Sequence, residues 1–408
     1  MMKKNRMFPA LLLILLVALT AAASAYEASA GEIATEVSAA EEAVTEAASE
    51  STQVWEEHIP ELDGLTFEKQ MDFKYVECVD IYYYEGGYKF FDVYDSGQYL
   101  LIPEGGEIPA NLDPGVTIIQ APLSSVYMAA TAVMALVNAV DGLDQIRFSS
   151  LEADGWYVED AAAAMQSGDI VFAGKYSKPD YELLLSEGCD LAIESTMILH
   201  TPKVQEMLED LGIPVFIDRS SYETHPLGRS EWAKVYGAMF GLEEQAEAFF
   251  EEQNAIMDEL ENFENTGKTV AFFYINTSNA VVVRRSGDSV PLMIELAGGK
   301  YALDGMEDVS ESKRSSVNMT MEAFYDAAVD ADYLIYNSTI DAPIYSIDDL
   351  LAKSSLFANF KAVQEGNVWC ADKYLYQATD IIGELIRDFH HMLTDGDESQ
   401  MTFLRKID

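Results

Sequence analysis

Positive charge is scarce in this chain. Its 25 Lys and Arg stand against 70 Asp and Glu, a formal net charge of −45 over 408 residues. A field of that sign repels phosphate backbones and anionic lipid heads, which excludes nucleic acid and direct membrane-surface binding. Cysteine is scarcer still: Cys78, Cys189 and Cys370 leave at least one thiol unpaired, and none forms C-x-x-C. Their strand-like or helix-to-strand settings read as small buried hydrophobes. With 5 His, a zinc or manganese cage has few ligands to draw on. His58 lies just beyond the acidic tether, and neighbours His390 and His391 point ~100° apart on one helix. No metal site and no cofactor are therefore expected. G-x-S-x-G, H-E-x-x-H and Walker motifs are also missing, so nothing positions hydrolytic chemistry.

What is present begins with "MMKKNRMFPALLLILLVALTAAASA". Basic residues, an apolar run from Phe8 to Leu19 and a small-residue end read as a secretory signal over 1–25, with a second cut site after Ala30. The apolar run is short for a membrane span, and no other stretch is longer. Residues 26–55 are rich in Ala, Glu, Ser and Thr. They cannot bury enough apolar surface to offset their ordering entropy, so they read as an acidic tether. Residues 56–115 bring aromatic and β-branched runs separated by Gly86-Gly87 and Asp95-Ser96-Gly97, the pattern of a small antiparallel β meander. Its tyrosines are expected to pack a sheet face rather than form a binding platform.

From Val116 short apolar strands alternate with amphipathic helices, which implies parallel sheets covered on both faces. The fold class is α/β: one Rossmann-like lobe over 116–241 and a second over 266–408. Between them, Leu242 to Phe263 runs without Gly or Pro, within a connecting segment 242–265. Leu242, Ala246, Phe249, Ile256, Leu260 and Phe263 form one helical stripe. Twenty-two residues make a rod of roughly 33 Å, enough to hold two lobes apart. In open α/β sheets ligands sit outside the carboxyl ends of the strands, so the expected site lies between the lobes.

Three pieces carry a family resemblance: "AGKYSKPDYELLLSEGCDLAIE", "HPLGRSEWAKVYGAMFG" and "MIELAGG". In order and spacing, Val116 to Leu393 resembles the helix-linked (class III) extracytoplasmic substrate-binding proteins of ABC importers, which carry ferric siderophores, haem and cobalamin. The resemblance implies an exported, monomeric receptor that delivers a bulky small molecule to an ABC permease and ATPase. It also implies one exposed docking acid per lobe, at Glu182 and Glu322. Many family members carry a lipobox Cys at the signal cleavage site; here only small residues stand there, which argues against a lipid anchor. Competing readings are an extracytoplasmic hydrolase and a surface interaction protein on the same scaffold.

The strand ends nominate the ligand contacts. In the first lobe they are Trp156, Lys175, Tyr176, Arg219 and His225, the last as a single candidate ligand for haem iron. In the second they are Tyr274, Arg284, Tyr374 and Tyr376. Guanidinium forks pair with carboxylate or catecholate oxygens and aromatic faces cover an apolar body, which suits a flat or anionic chelate. Arg219 is balanced between the cleft and an ion pair. Arg284 and Arg285 alternate in a strand, so one of them faces the cleft. Glu231 and Trp232 are expected to be structural, the acid complementing a helix dipole and the Trp packing.

Overall fold

The computed structural model describes residues 59–260, 263–305, 316–339, 341–371 and 373–408. The expected signal at 1–25 and the expected tether at 26–55 lie outside the described residues, as do positions 56–58 of the expected meander and 261–262 of the connecting segment.

The first sheet runs in chain order: β1 (Phe67–Gln70), β2 (Val79–Tyr84), β3 (Tyr88–Val93), β4 (Gly97–Ile102) and β5 (Thr117–Gln120). Gly86 and Gly87 turn between β2 and β3 with φ of 85° and 87°, values that a side chain resists. Asp95 and Gly97 make the next turn. The strand β5 pairs in parallel with β4, so this apolar run beyond Val116 extends the N-terminal sheet instead of opening the lobe. Alternation buries both faces. Tyr82, Tyr84, Phe90 and Leu100 gather on one side, while Ile81, Tyr83, Phe91, Tyr99 and Leu101 merge with the core of the first lobe. Phe216 of that lobe touches the rings of Phe91 and Tyr99 at 6.2 and 4.7 Å. Burial of side chains this size stabilises by about 1.5–3 kcal/mol each, which fixes the sheet to the lobe and leaves its tyrosines as core.

The first lobe holds β6 (Val126–Met128), β7 (Ile146–Ser149), β8 (Val171–Phe172), a small hairpin β9 (Gly174–Lys175) and β10 (Lys178–Pro179), then β11 (Leu191–Ser195) and β12 (Val215–Asp218). Its sheet is parallel in the order β12-β11-β6-β7-β8. The second lobe holds β13 (Thr269–Ile275), β14 (Val281–Arg284), β15 (Lys300–Tyr301), β16 (Ser316–Met319), β17 (Tyr333–Asn337), β18 (Val368–Ala371) and β19 (Leu404–Lys406). Here β13, β17 and β18 are parallel, whereas β14 folds back antiparallel on β13 and β19 closes the far edge antiparallel to β18. Helices Ser289–Leu296 and Ile382–Leu393 cover one face. Beneath other helices, Phe273, Phe324, Phe357 and Phe360 form a ring network with centroids 4.7–6.4 Å apart.

The helix between the lobes spans Glu243–Leu260, 18 residues or about 27 Å. It is not a free rod. Ala246 enters the first-lobe core, against Gly237, where an added Cβ would stand 2.6 Å from the Ala246 methyl. Phe250, Ile256 and Leu260 enter the second-lobe core. Phe249, expected on the buried stripe, is half-buried and touches both cores, while Phe250 takes the inward place. Phe263 is exposed.

Candidate functional site

Where the lobes meet, the loop after β18 reaches across. The Gln377 amide donates 3.0 Å to the Gly155 carbonyl, and its own carbonyl accepts from the Tyr157 N–H at 2.8 Å. Gln377 is fully buried. The Thr379 hydroxyl donates to Ala132 O at 2.6 Å, and Ser230 donates to Thr379 O at 2.6 Å. Tyr157 also lies against the rings of Tyr374 at 5.9 Å and Phe403 at 6.0 Å. This seam stands at the carboxyl ends of β7 and β18, where open α/β sheets place ligands.

A cavity of about 510 Å³ opens beside it on the second lobe. Tyr345, Trp369, Lys373, Phe403, Arg405 and Lys406 are among its walls. Tyr345 is 67% exposed and carries the Arg405 guanidinium 4.8 Å over its ring. Lys373 lies 4.3 Å over the Tyr374 ring, and Lys406 lies 5.9 Å over that of Trp369 and 3.6 Å from Glu398. Three cations, Lys373, Arg405 and Lys406, line this cavity together with Glu398. A larger space, about 700 Å³, lies away from these strand ends, between the segment Lys69–Lys74 and the connecting helix.

The nominated first-lobe residues divide. Trp156 is buried, its indole N–H donating to the Ser149 hydroxyl at 3.0 Å. Lys175 is exposed on the small hairpin, and Tyr176 is half-buried against the first-lobe core. Arg219 is 5% exposed, stacked 4.1 Å over Tyr222 and 3.7 Å from Asp95 in the turn of the N-terminal sheet. Its Nε and Nη1 have no hydrogen-bond partner among the described residues. His225 stacks face to face on Tyr75 at 4.0 Å, and its Nδ1 accepts from the Leu227 N–H. Burial first, and then Lys74, hold its pKa below the ordinary histidine value. Arg219 and His225 thus face the N-terminal segment.

In the second lobe Tyr274 is buried and Tyr374 is on the seam. Tyr376 is 44% exposed, its hydroxyl accepting from Gln377. Arg284 stands at the inner end of the antiparallel β14, away from the carboxyl edge of the parallel strands, 3.9 Å from Asp288. Its neighbourhood includes Arg229, whose pKa burial lowers and Asp288 counteracts. Glu182 and Glu322 are exposed in the first turns of Tyr181–Ser186 and Met321–Ala328. Among the described residues no group of three or more His, Cys, Asp or Glu could hold a metal ion.

Residues 132–375, more than half of the chain, match the family described as periplasmic binding protein. The chain belongs to the periplasmic binding protein family. Its members are substrate-binding proteins of ABC-type transport, not enzymes. An uncharacterised lipoprotein of Methanocaldococcus jannaschii is similar, 23% identical over 325 residues, 74% of this chain and 75% of its own. A crystal structure of a periplasmic binding protein from Veillonella parvula superposes with a TM-score of 0.52 at 14% identity, covering 67% of this chain and 91% of the other. A periplasmic haem-binding protein of Vibrio cholerae does so at 0.50 and 18%, covering 64% and 97%. Among the described residues no helix is long and apolar enough to cross a membrane. The family match covers Ala132, Gly155, Tyr157 and Tyr374 of the seam and ends before Gln377 and Thr379. It omits the N-terminal sheet and the C-terminal segment that supplies Phe403, Arg405 and Lys406 to the cavity.

Sequence reasoning missed those C-terminal cations and Tyr345, because a pocket shared by an edge strand and a distant loop leaves no local pattern. Gln377 is not among the contacts nominated from the strand ends. The two partners it joins lie 220 and 222 residues away. Glu231 and Trp232 are structural, by a route other than the dipole. Glu231 accepts N–H bonds from Lys74, Tyr75 and Val76, and the Trp232 indole donates to Glu223 at 2.6 Å.

Proposed function

We propose that this protein is the extracytoplasmic receptor of an ABC importer and captures a bulky anionic chelate, of the ferric siderophore or haem class, between its lobes. The seam of Gly155, Tyr157, Tyr374 and Gln377, with the adjoining cavity, carries this reading. Aromatic faces there would cover an apolar body, and Lys373, Arg405 and Lys406 would pair with carboxylate or catecholate oxygens. A solved neighbour that binds haem is consistent with a ligand of this size. The receptor acts as a monomer, and Glu182 and Glu322 are its docking acids for the permease.

Titration with ferric siderophores, haem and cobalamin, followed by Trp and Tyr fluorescence, tests the ligand class. Saturable sub-micromolar quenching by one anionic class without turnover is the expected result. Quenching by none of them, or consumption of an ester or peptide substrate, overturns it. Reversing Glu182 and Glu322 to Lys together is expected to abolish uptake and leave affinity unchanged. A parallel fall in affinity would refute the docking assignment.

A further inference from the structure

Five consecutive backbone N–H groups, from Lys74 to Cys78, point at two carboxylates. Lys74, Tyr75 and Val76 donate to Glu231 at 2.7–3.1 Å. Glu77 and Cys78 donate to Glu223 at 2.8 and 3.1 Å. Both acids are buried, Glu231 completely. Hydrogen bonds to a charged acceptor are the stronger kind, and five on one short stretch leave it no alternative path. Gly228 lies between the two acids in sequence and beneath this stretch. An added Cβ there would stand 3.1 Å from the Tyr75 carbonyl and 3.0 Å from Glu223, so glycine is what lets the segment lie down.

The segment crosses a boundary. Phe73, Val76 and Cys78 pack against the first-lobe core. Tyr75 packs against the second-lobe core, with its ring edge-on to Phe250 at 6.2 Å. The Tyr75 hydroxyl and the Lys74 ammonium both donate to the side-chain carbonyl of Asn254, on the connecting helix, at 3.1 and 2.9 Å. Helix Pro226–Glu231, which supplies Glu231, itself sends Leu227 into the second-lobe core.

We infer that Lys74–Cys78 is a brace across the hinge, with Glu223 and Glu231 as the residues that position it. It ties the first lobe to the connecting helix through Tyr75 and Lys74, and so limits how far the lobes separate when no ligand is bound. The brace lies outside the family-matched residues 132–375, so it is an addition to the shared two-lobe core.

The test uses the full chain without ligand, so its outcome is independent of which solute is carried. Asn254→Ala removes the acceptor on the helix and touches no buried acid. Tyr75→Ala removes the ring and the hydroxyl. Gly228→Ala crowds the brace from below while keeping every hydrogen-bonding group. Expected are a larger radius of gyration by solution scattering and amide exchange at Lys74–Cys78 and in Glu243–Leu260 at least about tenfold faster, with the sheet of the first lobe still protected. A lowered unfolding midpoint alone, with scattering and exchange as in the parent, overturns the proposal. If Tyr75→Ala fails to fold, Asn254→Ala decides.

Discussion

Glu194 offers a stability test that can be worked through in numbers. It lies on β11 beside Ile217, fully buried, and neither carboxylate oxygen has a hydrogen-bond partner among the described residues. The Tyr127 hydroxyl, a neighbouring donor, is committed to the Gly174 carbonyl at 2.8 Å. Burial therefore drives the Glu194 pKa well above its ordinary value of 4.5, because desolvation penalises the charged form. A group whose folded pKa is raised adds its stabilisation below the unfolded value and loses it as pH climbs towards the folded one. While the folded acid stays neutral, each pH unit above the ordinary value costs about 1.4 kcal/mol. Glu194→Gln keeps the shape and removes the titration. Its advantage over the parent should grow as pH rises from 5 to 7. Glu194→Leu also removes the unsatisfied oxygens and should gain about 1–3 kcal/mol more, independently of pH. Urea unfolding of the three proteins at several pH values reads both terms. If the difference between Glu194→Gln and the parent is flat from pH 5 to pH 7, burial does not raise the pKa of this acid and the reasoning fails.

Other outcomes follow from the same contacts. Gln377→Ala removes two buried inter-lobe hydrogen bonds and strands the Tyr157 N–H, so it should cost about 2–3 kcal/mol in unfolding and speed ligand release; an unchanged midpoint would place the amide outside the seam. Burial pushes the Cys189 thiol up to about 12, and Cys78 is raised as well, first by burial and then by Glu223. Both should resist a thiol reagent at pH 8 until urea unfolds the chain, and rapid labelling of native protein would contradict that. Phe250→Ala should cost about 3–5 kcal/mol by emptying the inward face of the connecting helix, whereas Phe249→Ala, half-buried, should cost less.

The parts of the fold that are local were legible in the residues. Glycines 86 and 87 turn the first hairpin, apolar runs such as "VAFFYI" are buried strands, and "EEQAEAFFEEQNAIMDEL" is the helix between the lobes. What depended on chain reversal was not. Nothing near Val281 says that β14 runs antiparallel, yet that direction sets Arg284 back from the carboxyl edge of the sheet. Arg219 and His225 follow the last strand of the first lobe, as expected. The N-terminal segment, more than a hundred residues earlier, covers them. A Gly-Arg-Ser-Glu-Trp stretch could not reveal that Glu231 receives the N–H groups of Lys74 to Val76, because those partners lie 155 to 157 residues away.

The central claim is that solute is gripped from both sides of the seam, and hydrogen exchange with and without a saturating ferric siderophore or haem reads it most directly. Simultaneous protection of Gly155–Tyr157 from the first lobe and Tyr374–Gln377 from the second is the predicted result. Protection confined to one lobe, or to the cavity between Lys69–Lys74 and the connecting helix, contradicts it.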